Sequence, residues 1–263
     1  MIQFLLLRGA NAEKAYGKLP WTLLQAATMG RYPDSVGIAH CLLHQGADIE
    51  ECSEQERRTP LQIAVDNRDH EMVKLLVGLG ADIDARYAES AHTPIGKVIG
   101  YGDLDMFNTL LGRHVEMEYC SPGRTLLQII VEMQPPNSVG MARRLLASGA
   151  KIDGYTYEEP RTPLQIAVGI DDKKMALFLI AHGANIEGCS ARALKTPLQM
   201  AVEKQSKEMV SILLNGGARP HGCTPGYQCP MHMAVVAGSE ELVGLLSIKG
   251  VNPSEVCYQD TTD

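Results

Sequence analysis

The sequence predicts an all-α fold, a solenoid of stacked antiparallel helix pairs joined by hairpin-like finger loops. Three observations predict it. A short signature recurs, TPLQIAV at Thr59 and Thr162 and TPLQMAV at Thr196. A glycine follows each of these threonines after 21 residues, at Gly80, Gly183 and Gly217. Looser copies, WTLLQAA around Thr22, TPIGKVI at Thr93, TLLQIIV at Thr125 and CPMHMAV at Cys229, complete a series with spacings of 37, 34, 32, 37, 34 and 33 residues. Such a period marks an architecture in which each unit buries its apolar face only against its neighbours.

The chemistry of TPLQ explains why it starts a helix. Thr is an N-cap acceptor, Pro at the first helical position loses no needed N–H, and Gln three residues after Thr can reach back to the cap. Apolar positions then recur at helical spacing, and a second stripe such as EMVKLLVGLG runs to a glycine C-cap. About ten polar, irregular residues follow, for instance ADIDARYAESAH, which read as a finger leading to the next cap.

In chain order, residues 1–19 read as a partial repeat. IQFLLLRGAN has the stripe of a second helix with no first helix before it, so the chain either was cut from a longer parent or uses this helix as an improvised cap. Repeats then start near residues 20, 57, 91, 123, 160, 194 and 227, and the polar tail 257–263 closes a single domain spanning 1–263. The third repeat is the weakest. Gly96 replaces its Gln, Lys97 takes an otherwise apolar position and His114 stands where other repeats carry glycine, a pattern of tolerated degeneration or of a hinge over residues 93–118.

These residues resemble the ankyrin-repeat family, with its TPLH signature, its LLLxxGAD motif and its period of 33. The resemblance covers Met1 to about Val256. Gln replaces the family's His at Gln25, Gln62, Gln128, Gln165 and Gln199, a variant similar to ankyrin arrays of filamentous fungi. The resemblance implies a concave groove lined by fingers and first helices, and a protein-interaction scaffold that binds its partner there.

A longer period lies above the repeat. TLLQ at Thr22 and Thr125, PDSVGIA at Pro33 and PNSVGMA at Pro136, and CSPG at Cys120 and CTPG at Cys223 are each 103 residues apart, so three repeats form a duplicated cassette. Both copies carry three extra residues between their helices, read as inherited loop length rather than a second contact edge.

Composition and charge narrow the function. With 45% hydrophobic residues the chain can bury a core, and its net charge of -7 disfavours nucleic acid or an anionic membrane surface as partner. Seven cysteines at irregular spacing fit reduced thiols, the opening MIQFLLL lacks a signal-peptide pattern, and no apolar run has membrane-span length, which together predict a cytoplasmic or nuclear protein. No cofactor motif is present: GxSxG, HExxH, P-loop and GxGxxG are all missing.

HGCTPGYQCPMH, residues 221–232, concentrates His221, Cys223, Cys229 and His232. Repeat register accounts for Cys229 as the cap and His232 as the motif's own His, and C-x5-C is wider than zinc-site spacing, so no metal site is expected. Partner contacts are sought instead at positions the fold does not need. The residues just before each cap are Trp21, Arg58, His92, Arg124, Arg161, Lys195 and Gln228, a largely basic ladder suited to an acidic segment of a partner protein. The competing reading is that Glu56, Glu159, Asp66, Glu132 and Glu203 neutralise it locally. Tyr87, Tyr119, Tyr155, Tyr157 and Tyr227 all fall in fingers, where a large ring with a polar tip suits a binding hot spot. A small-molecule or enzymatic site in the groove, and a spacer within a larger regulatory chain, stand as alternatives.

Overall fold

The structure is a computed structural model that describes residues 21–30, 33–86, 93–112, 123–188, 195–220 and 228–247. Every regular element among these residues is a helix, and the helices come in pairs. They are α1 (Leu23–Thr28) with α2 (Ser35–His44), α3 (Pro60–Asp66) with α4 (His70–Gly78), α5 (Pro94–Tyr101) with α6 (Leu104–Leu111), and α7 (Leu126–Met133) with α8 (Ser138–Ala147). The series continues with α9 (Pro163–Gly169) and α10 (Lys173–Ala181), α11 (Pro197–Glu203) and α12 (Lys207–Asn215), and α13 (Pro230–Val236) and α14 (Glu240–Ser247). No described helix is long and apolar enough to cross a membrane.

The first helices start as their sequence requires. Thr59 Oγ1 accepts from the Gln62 N–H at 3.3 Å, and Gln62 Oε1 accepts from the Thr59 N–H at 2.9 Å. The same reciprocal box closes at Thr22, Thr125, Thr162 and Thr196. In α5, Gly96 offers only its N–H to Thr93, at 3.4 Å. The second helices have caps that the sequence reading overlooked. Asp69, Asp103 and Asp172 each accept, at 3.0 Å, from the N–H of the methionine three residues on, so the D-x-x-M spacing was a legible signal.

Glycine closes the second helices one residue later than the sequence reading put it. Leu79 caps α4 and Gly80 follows at φ +98°, with Gly80 N–H donating to Val77 O and Ala81 N–H to Leu76 O. This paired closure needs a left-handed residue past the cap, which glycine enters without steric cost. Leu61, Ile63, Leu76 and Val73 are fully buried between the helices of this pair and its neighbours. Each such side chain contributes roughly 1.5–3 kcal/mol.

Two sets of side chains tie successive repeats together. The capping glutamines are buried, and the Nε2 left over from each box reaches into the next finger. Gln25 donates to Glu56 O (2.7 Å) and Arg58 O (2.8 Å), and Gln128 to Glu159 O (3.0 Å) and Arg161 O (2.7 Å). Gln62, Gln165 and Gln199 donate to Ala85 O, Lys195 O and Gln228 O. At the finger base, Glu50 accepts from the Asp82 N–H at 2.7 Å, and Asp153 and Glu187 accept likewise from Asn185 and Arg219. Burial, resisted by the Asp82 N–H and reinforced by the Asp82 and Asp48 charges, pushes the Glu50 carboxyl up.

The described residues fall into two compact units, one holding residues 21–112 with Pro135–Asn137, the other holding Gly123–Gln134 and residues 138–247. In the first unit the extra residues of the second cassette copy have a packing role. Pro136 lies against Gly102, whose φ is +69°, and a β-carbon on Gly102 would stand 2.8 Å from Pro136 Cδ and 2.9 Å from its carbonyl oxygen. Asn137, itself left-handed at φ +64°, directs its amide to Gly102 O at 3.5 Å.

Candidate partner-binding face

Among the described residues before the caps, Arg58, Arg161, Lys195 and Gln228 have their carbonyls held by the glutamine bonds. In the first unit Arg58 is gripped twice. Its Nε and Nη2 donate to Glu56 Oε1 and Oε2 at 2.8 and 2.7 Å, and its Nη1 donates to Asp66 Oδ2 at 2.8 Å. Asp66 also accepts from Lys97 Nζ (3.1 Å) and the Tyr101 hydroxyl (3.3 Å), so the lysine that looked like degeneration in the third repeat is the partner of a carboxylate in the second. The Arg68 guanidinium stands 4.5 Å from the Tyr101 ring centroid. Burial and the Asp66 charge hold the Tyr101 hydroxyl above its usual range.

In the second unit Arg161 Nε and Nη2 are clamped by Glu159 at 2.8 and 2.7 Å. Arg124 Nη1 meets Glu132 at 2.7 Å, with Glu159 3.9 Å from its Nη2, and Lys195 Nζ bridges both oxygens of Glu203 at 2.8 and 2.7 Å. A spacing rule emerges that the sequence contains. A carboxylate eight residues after the cation, at the end of the first helix, answers Arg58, Arg124 and Lys195. Of the two readings open for the ladder, local neutralisation describes Arg58, Arg124, Arg161 and Lys195. Trp21 is half-buried, and His92 lies outside the described residues.

The Arg161 guanidinium, by its hydrogen bonds and then its charge, holds the Glu159 carboxyl below its ordinary value of 4.5. A carboxyl depressed in the folded state stabilises fully above that ordinary value, and its contribution is lost as pH falls through the depressed one. Glu159→Gln is therefore expected to lessen the acid sensitivity of the second unit below about pH 4.5. Thermal melts of both proteins over that range check this, and parallel pH profiles would contradict it.

The fingers of the two cassette copies share a scaffold. Glu56 N–H donates to Ser53 Oγ at 2.9 Å and Glu159 N–H to Thr156 Oγ1 at 3.0 Å, turns that aim each carboxylate at its arginine. Thr156 also donates to Gly123 O. On this second finger Tyr155 and Tyr157 are 52% and 70% exposed. Tyr155 walls an open depression of about 490 Å³ with Lys151, Ile152 and Asp153. Tyr87, Tyr119 and Tyr227 lie outside the described residues.

In the stretch that suggested a metal site, Cys229 acts as an N-cap: its buried sulfur accepts from the His232 N–H at 3.4 Å. His221 and Cys223 lie outside the described residues. Among the described residues no group of three or more His, Cys, Asp or Glu side chains is placed to hold a metal ion.

Comparison with known proteins agrees with this geometry. The family described as ankyrin repeats (3 copies) matches residues 1–87, and the single ankyrin repeat matches residues 194–225. An ankyrin repeat protein of fowlpox virus (strain NVSL) is 30% identical over 109 residues, which are 41% of this chain and 24% of that protein. The match thus spans about a quarter of the relative's length. Among solved structures, the ankyrin repeat domain of Bcl-3, a member of the IkappaB protein family, aligns with a TM-score of 0.74 and 22% identity over 88% of this chain and 98% of that one. The human ASB11 ankyrin repeat domain aligns at 0.64 and 21% identity over 88% and 99%. At these identities the likeness is one of fold.

Proposed function

Because the chain belongs to the ankyrin-repeat family, whose domains are protein-interaction modules, we propose that it is a scaffold that captures a partner protein on the face made by its fingers and first helices. The observation that carries the reading is the second finger: Tyr155 and Tyr157 stand exposed on a loop whose backbone is pinned by Gln128 and Thr156. A rigid loop bearing large rings loses little entropy on binding. An acidic segment of the partner fits where a cation keeps a donor beyond its own carboxylate, and elsewhere the face offers paired charges. The unbroken register favours treating all the repeats as one domain. We place the protein in the cytoplasm or nucleus on the odd count and irregular spacing of its seven cysteines.

Tyr155→Ala combined with Tyr157→Ala is expected to weaken partner capture at least about tenfold, the loss of two hot-spot rings. The thermal midpoint should stay within a few degrees, since neither ring is buried. Pull-down with the intact chain beside the double variant measures it. Unchanged capture would remove the fingers from the binding face.

A further inference from the structure

Among the positions where the two cassette copies differ, one leaves a donor open. Arg58 and Arg161 are 103 residues apart, as are Glu56 and Glu159, and each arginine is held by its glutamate in the same two-point clamp. In the first unit the remaining nitrogen, Arg58 Nη1, donates to Asp66, the last residue of α3. The equivalent last residue of α9 is Gly169. A β-carbon on Gly169 would lie 3.9 Å from Arg161 Nη1 and 3.6 Å from Met200 Cε, at ordinary contact distance. The Arg161 side chain is 39% exposed, and its other nitrogens are fixed by Glu159. Glu132, whose charge also acts on it, is engaged by Arg124 at 2.7 Å.

We propose that Arg161 Nη1 and the space over Gly169 form a seat for a carboxylate of the partner, an Asp or Glu side chain in a peptide segment, which takes the place Asp66 holds in the other copy. This rests on the finger-face reading and names the partner's chemistry. Only the clamped arginine is needed, because its orientation is set before the partner arrives and a charge-assisted hydrogen bond then forms without ordering the side chain. The exposed Tyr155 and Tyr157 belong to the same finger and supply further contact area.

The test uses a random dodecapeptide library displayed on phage and panned on the intact chain, with the selected peptides then titrated by fluorescence anisotropy. Enriched peptides should carry Asp or Glu. Changing that residue to Asn or Gln in the peptide should cost about tenfold in affinity. Gly169→Asp, which supplies the carboxylate internally as Asp66 does, should cost a similar factor without lowering the thermal midpoint. If Gly169→Asp folds poorly, the peptide substitution decides alone. Peptides that lose affinity with the Tyr155→Ala, Tyr157→Ala protein but are indifferent to both carboxylate changes would overturn the seat and leave the finger face standing. Peptides indifferent to all of these changes, or no enrichment, would overturn both.

Discussion

Gln128→Ala is expected to destabilise the second unit by about 3–4 kcal/mol, among the larger losses a single polar substitution causes. Gln128 is fully buried and spends both ends of its amide. Its Oε1 accepts from the Thr125 N–H at 2.8 Å, and its Nε2 donates to Glu159 O and Arg161 O. Alanine leaves one cap donor unanswered, roughly 1 kcal/mol, and strips two finger carbonyls of a donor they have given up water to meet. The second part reaches the proposed binding face, because those carbonyls fix the return that aims Arg161. Urea unfolding followed by circular dichroism measures the first effect, and a loss below about 1 kcal/mol would show that the finger is held by other bonds.

Gly102→Ala should cost about 2–3 kcal/mol in the first unit, from two separable sources. A left-handed backbone costs alanine about 1 kcal/mol, and a new β-carbon overlapping Pro136 at 2.8–3.0 Å forces that turn to move. Gly80→Ala separates the two, since Gly80 has φ +98° with nothing within 4 Å of the added carbon. Only the backbone part, about 1 kcal/mol, should be lost there. Equal losses at both positions would mean that the Pro136 contact carries no weight.

What was legible in the sequence was local. Thr59, Pro60 and Gln62 specify a helix start within four residues, and Gly80 specifies its partner's end, so the helix pairs follow from spacing and side-chain chemistry alone. The position of the proposed binding face followed from register. The partners of its cations were visible as candidates, since Glu56, Asp66, Glu132, Glu159 and Glu203 all lie near the ladder in sequence, but choosing between pairing and exposure needed distances. What was not legible joins residues 30 or so apart. The second donor of each glutamine reaches a carbonyl 23 to 33 residues on, as from Gln62 to Ala85 and from Gln128 to Glu159 and Arg161. Lys97 reads as a defect in its own repeat and becomes a partner only when Asp66, 31 residues before it, is brought alongside. Periodicity assigns a residue its role within a unit and is silent on what the neighbouring unit asks of it.

The central claim, that fingers and first-helix ends form the face that captures a partner, is tested most directly by amide hydrogen exchange on the intact chain with and without the captured protein. Slowed exchange is predicted over residues 155–161 and 53–58, extending into α9 and α3. Protection confined to the second helices α8, α10 and α12, with both fingers exchanging as in the free chain, would contradict it.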